Sequence, residues 1–163
     1  MTKLTLSLLV VAACGSGKGG DPPAKPHTGA PLAFEVQKLT PGKMFDGKIA
    51  VRAYNFSDKP IAQYAVMMRF YDKSGARIVE DPKSGFDHES MSFGGKRYIC
   101  DPKSWCEFTF DAGVPEGSVK ATVLASRLSA VKSDGMTMEE NDLFDLPGMD
   151  WPEATAVAKP VAP

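Results

Sequence analysis

Three observations in the sequence predict an all-β fold, an antiparallel β-sandwich of seven or eight strands. Short apolar runs recur from Leu32 onward, and their polar and apolar residues alternate with a period of two. Clusters of glycine, proline, asparagine and aspartate separate these runs, as turns do. No segment of the folded region carries a convincing amphipathic helix pattern. The 163 residues set a prior of one domain.

The first strand is read over Ala33 to Leu39, where Phe34 and Val36 alternate with Glu35 and Gln37. Lys48 to Phe56 and Ile61 to Tyr71 follow, rich in valine, isoleucine, methionine and aromatics, with Asn55-Phe56-Ser57-Asp58-Lys59-Pro60 between them. Pro60 has no backbone donor, so the later strand begins after it. Within that strand Tyr64, Val66, Met68 and Phe70 share one face, and Ala65, Met67 and Arg69 share the other. Asp72-Lys73-Ser74-Gly75 reads as a type I turn with a left-handed glycine, returning into Arg77 to Glu80. Beyond a long polar loop, Arg97 to Cys100 and Trp105 to Phe110 are predicted to form a second hairpin, with Phe108 and Phe110 pointing one way. After the turn Gly113 to Gly117, Val119 to Val131 is a long run. Its β-branched content and flanking glycines favour a strand over a helix.

That strand count, in about 100 residues, suits an immunoglobulin-like sandwich. The stretch GKIAVRAYNFSDKPIAQYAVMMRFYDKSGARI, Gly47 to Ile78, resembles the strand, Asn-x-Ser, strand, Tyr-Asp-x-x-Gly pattern of small immunoglobulin-like domains on bacterial lipoproteins, including the FxLYD type. The Phe-x-Leu-Tyr-Asp signature itself is absent. The resemblance implies the fold and an envelope setting, and it carries over no catalytic residues.

The N-terminus reads Met-Thr-Lys followed by an apolar run from Leu4 to Ala13, the pattern of a secretory signal peptide. The run falls short of the about 20 apolar residues that a spanning helix needs. Its end, Val11-Ala12-Ala13-Cys14, resembles the lipobox of bacterial lipoproteins. The resemblance implies cleavage before Cys14, a diacylglycerol on its sulfur and an acyl chain such as palmitate on its new amino group. Two or three chains would attach the protein durably to a membrane. Gly15, in place of aspartate, points to the outer membrane by the sorting rule of well-studied lipoproteins. An ordinary signal peptide with a chance cysteine, or a buried apolar strand, is the plainer reading of the same residues.

The expected organisation is a signal peptide at 1–13, a lipidated and flexible tether at 14–31, the sandwich at 32–150 and a disordered tail at 151–163. The tether string GSGKGG is not a phosphate loop, because it lacks G-x-x-x-x-G-K-[ST] between a strand and a helix. Nineteen basic and twenty acidic residues give a formal charge of −1, and loss of Lys3 with the leader makes it −2. Without a basic excess, nucleic acid is not an expected partner. The acidic side chains gather towards the C-terminal end, from Asp134 to Glu153. Their spacing does not reproduce a D-x-[DN]-x-[DN]-G calcium loop, so a solvated acidic rim is expected.

With Cys14 assigned to lipid, Cys100 and Cys106 remain as an even pair in an oxidising compartment, close enough for a structural disulfide. The spacing is not that of a Cys-x-x-Cys redox centre. Asp87-His88-Glu89 is the one acid–histidine cluster, from which a metal site or a general base could be built. A single histidine in a polar loop is more often solvated, and Ser90 lacks any nucleophile-elbow context. Trp105, Trp151 and Phe93 are candidate contact aromatics, although Trp105 could equally cover the disulfide.

No catalytic residue, metal site or cofactor is expected. The expected function is a non-catalytic binding or scaffolding module, anchored in the cell envelope by its N-terminal lipid and contacting an envelope protein. The alternatives are a structural subunit of an envelope transport or secretion complex, or a metal-dependent hydrolase using His88.

Overall fold

The computed structural model describes residues 20–79, 81–83, 85–131, 138–148 and 150–152. The leader, Cys14 and the first part of the tether lie outside the described residues, as do residues 132–137 and everything beyond Pro152.

Among the described residues, eight antiparallel strands form two sheets. They are β1 (Leu32–Thr40), β2 (Gly42–Asn55), β3 (Ile61–Tyr71), β4 (Arg77–Ile78), β5 (Glu89–Gly94), β6 (Trp105–Val114), β7 (Lys120–Val131) and β8 (Met138–Asp145). One sheet has the order β1-β2-β6 and the other β4-β3-β7-β8, with β5 also pairing with β3. This is the connectivity of an immunoglobulin-like sandwich, in which β1, β2 and β6 face β3, β7 and β8.

The core lies between the sheets. Ile49, Val51, Ala53 and Phe110 come from one sheet and Tyr64, Val66, Met68, Phe70 and Leu128 from the other. The predicted inward face of β3 is therefore the observed one. An aromatic file runs through this core: the Phe93 ring stacks on Tyr64 at 5.0 Å and on Phe110 at 4.4 Å. Burial of a side chain of this size is worth roughly 2–3 kcal/mol. Burial also pushes the Tyr64 phenol far above its ordinary pKa. Its hydroxyl lies 2.6 Å from the Tyr98 carbonyl oxygen, to which it donates.

Two bulges change which residues face inward. In β1 the register slips between Val36 and Lys38, so Leu39 takes over the inward role of Phe34 and Val36. In β7 the slip opposite Ala65 and Val66 leaves Ser126 as the extra residue. Ala121, Val123 and Ala125 face the core before it, and Leu128 and Ala130 are buried after it.

The structure differs from the sequence reading in several elements, among them the acidic stretch, where Met138–Asp145 forms β8 against β7. Arg97 to Cys100 is not a strand: Lys96–Tyr98 forms a 3-10 turn, after which Cys100 makes an isolated bridge with Ile61. Gly95, with φ 111°, redirects the chain so that Tyr98 enters the core and meets Phe93 at 5.0 Å. The long polar loop contains β5, where Met91 and Phe93 pack on the core and Ser90, Ser92 and Gly94 are exposed. The Asp72 turn is as expected, with Gly75 at φ 83° and Asp72 Oδ1 accepting from the Ser74 and Ala76 amides at 2.8 and 3.0 Å.

The stretch read as tether makes contacts from Gly20 onward. Gly20 offers its carbonyl to the Trp105 indole N–H at 3.0 Å, Lys25 lies 5.8 Å from the Phe56 ring, and Ala30 is buried. Among the described residues no helix is long and apolar enough to cross a membrane.

Candidate functional site

The acid–histidine cluster sits where the loop before β5 crosses the outer face of β3. Asp87 Oδ2 accepts hydrogen bonds from both Arg69 of β3 and Arg77 of β4, and its Oδ1 lies 3.2 Å from His88 Nδ1. One carboxylate thus joins three elements. Desolvation opposes its ionisation. The His88 hydrogen bond and the hydrogen bonds and charges of Arg69 and Arg77 together outweigh that, and hold the carboxyl below its ordinary range.

His88 is not solvated, contrary to the plainer expectation: only 3% of its side chain is exposed. Its ring meets Phe86 edge-on at 5.7 Å and Trp151 at 6.1 Å. Trp151 is also covered by the Arg69 guanidinium, 4.3 Å from the ring centroid. The C-terminal segment after β8 therefore returns over β3 and is clasped by a stacked cation and a histidine. Glu89 begins β5 opposite Met68 and does not join Asp87 and His88 in a ligand set. Among the described residues, no three histidine, cysteine, aspartate or glutamate side chains are grouped to hold a metal.

The second site is at the opposite end of β3, where the chain enters the domain. Cys100 and Cys106 are joined by a disulfide with their Cα atoms 5.3 Å apart. The bridge closes a loop between the 3-10 turn and β6, and is not the inter-sheet bridge of antibody domains. Trp105 does not serve as a lid on it. Its ring packs edge-on against Tyr54 at 5.3 Å, directly across the β2–β6 ladder, and Arg52 covers it at 3.6 Å. Phe93, a candidate contact aromatic, belongs to the core file instead. His27 is exposed beside an open groove of about 350 Å³ between β1 and the first half of β7, floored by Leu32, Phe34 and Val123.

Sequence reasoning missed Arg69 and Arg77, because their partner lies 18 and 10 residues away and only the fold brings them to it. It also missed a glycine-bounded excursion in β2. Gly42 pairs with Val114 and Gly47 with Ala112, so that Lys43-Met44-Phe45-Asp46 stands opposite Gly113 alone. The Gly-x4-Gly spacing around an apolar pair was the available signal.

No family model matches the chain. No curated protein matches it either. Three solved structures overlap parts of the fold. IrmA from Escherichia coli is 9% identical over 66% of this chain and 83% of that one, with a TM-score of 0.37. The Salmonella enterica trimeric lipoprotein SadB is 17% identical over 70% of this chain, with a TM-score of 0.38, and about half of SadB is spanned (51%). The structural-genomics target SoR45 is 12% identical over 72% of this chain and 86% of that one, with a TM-score of 0.24. At such scores these are overlaps of part of a β fold and nothing more.

Proposed function

We propose that the chain is a lipid-anchored envelope protein whose sandwich is a non-catalytic binding module. The observation that carries the non-catalytic part is the commitment of Asp87. An acid shared between two guanidiniums and a histidine, with its proton affinity lowered, is poorly suited to take up a proton, and the two cations on its Oδ2 oppose a metal ion there. The anchor rests on the Val11-Ala12-Ala13-Cys14 motif and on the apolar run before it. An immunoglobulin-like sandwich offers loops at two ends and exposed strand edges, surfaces that suit binding.

The experiment is a pair of measurements on the full chain. Mass spectrometry of the mature protein is expected to find Cys14 at the N-terminus carrying diacylglycerol and acyl groups, and Cys14→Ala to leave the membrane fraction after a salt wash. Cys14→Ala protein that still sediments with membranes overturns the anchor. Stoichiometric bound metal, or a hydrolytic activity lost in His88→Ala, overturns the non-catalytic reading. A role as a structural subunit of an envelope complex predicts instead co-purification in a large assembly.

A further inference from the structure

The excursion in β2 is a built feature. A Cβ on Gly42 would lie 2.4 Å from the Gly47 backbone nitrogen, and one on Gly47 would lie 2.5 Å from the Ala112 carbonyl oxygen. Two glycines are therefore required for the chain to pinch shut at the base while four residues project. Met44 adopts φ 49°, in the left-handed region that a methionine rarely enters. The result exposes the two apolar side chains at the tip, Met44 by 74% and Phe45 by 69%. A strained backbone that holds a phenylalanine and a methionine in water brings the isolated fold no benefit, and such strain gathers at functional sites.

The position of this finger says what it faces. Gly20 is held at the Trp105 end of β2, by the Tyr54–Trp105 pair. Gly47 lies about 23 Å further along the same strand, at roughly 3.3 Å per residue. A lipid on Cys14 leaves at most about 22 Å of extended chain before Gly20, so the Trp105 end is the one kept near the headgroups. The outer face of the β1-β2-β6 sheet between them carries charges of both signs: Arg52 and Glu107 lie opposite each other, and Lys48 pairs with Asp111 at 2.8 Å. Such a face gives no reason to lie flat on a bilayer, and the finger lies at the end of β2 opposite to the one held near it.

We propose that Met44 and Phe45 insert into an apolar pocket of a partner protein in the same compartment, with Lys43 and Asp46 at the polar rim of that contact. This rests on the binding-module reading and names its contact surface. A rigid aromatic ring supplies the anchor, and the adaptable methionine beside it fills the remaining space.

The test replaces Phe45 with photoreactive p-benzoylphenylalanine in the full chain in cells, with Thr109 on the outer sheet face as the control position. A discrete protein adduct is expected from position 45 and not from 109. The adduct partner, identified by mass spectrometry and purified, is expected to bind the full chain. Phe45→Ala should weaken that binding about tenfold or more, with an unchanged melting temperature, while Thr109→Ala binds as wild type. Adducts only with lipid, adducts only with a second copy of the chain, no adduct, or full-strength binding by Phe45→Ala would each overturn the proposal. Fractionation of Cys14→Ala reads the anchor separately, so a failed anchor and a failed finger are told apart.

Discussion

Asn55 and Cys100, 45 residues apart, are joined by a buried hydrogen bond in which Asn55 Nδ2 donates to the Cys100 carbonyl at 3.0 Å. The same amide nitrogen donates to the Lys59 carbonyl at 2.8 Å, and Oδ1 accepts from the Ser57 amide at 2.9 Å. One fully buried side chain therefore ties the end of β2, the following turn and the disulfide loop together. Asn55→Ala leaves these groups without partners in a site closed to water, and a loss of about 3 kcal/mol is expected. Urea denaturation checks it through a lower midpoint at unchanged slope. A change below about 1 kcal/mol would show that the network contributes little.

The Cys100–Cys106 bridge closes a short loop, which in the chain-entropy model stabilises by about 2 kcal/mol. Reduction is expected to lower the melting temperature by roughly 8 °C without changing the fold. Equal melting curves with and without reductant, or two free thiols in the isolated protein, would refute this.

Asp87, Asp72 and Asp111 all have folded-state pKa values below the ordinary carboxylate value. Depressed acids stabilise the fold above their unfolded pKa, near 4, and that contribution is lost as pH falls through the lower folded values. Melting temperature is therefore expected to be flat from about pH 8 to 5 and to fall below about pH 4. Asp87→Asn should reduce the acid-dependent loss. It should also lower stability at neutral pH by about 1–2 kcal/mol, because Arg69, mostly buried, loses its carboxylate. An unchanged acid profile in Asp87→Asn would assign the pH dependence to the other carboxylates.

Trp151 is held by Arg69 and His88, so Trp151→Ala should release the segment after β8 from the outer face of β3. Hydrogen exchange is expected to quicken around Met67, which is buried although it faces outward, and to stay unchanged at Val51 in the other sheet. Equal exchange at Met67 in variant and wild type would show that the clasp does not shield it.

The fold class was legible because the period-two pattern is strong where two sheets must close on each other, as in Tyr64, Val66, Met68 and Phe70. The phase of the pattern beyond Gln37 and Ser126 was not, since a bulge adds a residue that leaves no mark in composition. In β5, two apolar residues among serines and glycine are too few to stand out from a loop, and only their stacking on a distant aromatic file identifies the strand. At the candidate site, Asp87 and His88 were visible as an adjacent pair, but the arginines that set the role of Asp87 come from β3 and β4. Met44 and Phe45 fall between the strands read at Ala33 to Leu39 and Lys48 to Phe56, and the pinch between Gly42 and Gly47 that expels them is a three-dimensional fact.

The contact between Gly20 and Trp105 also decides how the domain meets a mechanical load. Tension applied at the N-terminus first reaches the hydrogen bond between Gly20 and Trp105, then the buried Ala30 and the bond from the Phe56 amide to the Pro31 carbonyl, and only then the β1–β2 ladder. Residues 20–29 would peel away as at most about 35 Å of extended chain while the buried Ala30 and the ladder stay in place. A pulling measurement from the N-terminus would record this as a small early extension, and its absence would mean that force passes straight into β1. A domain leashed in this way can be tugged by the movement of its surroundings without being unfolded by it.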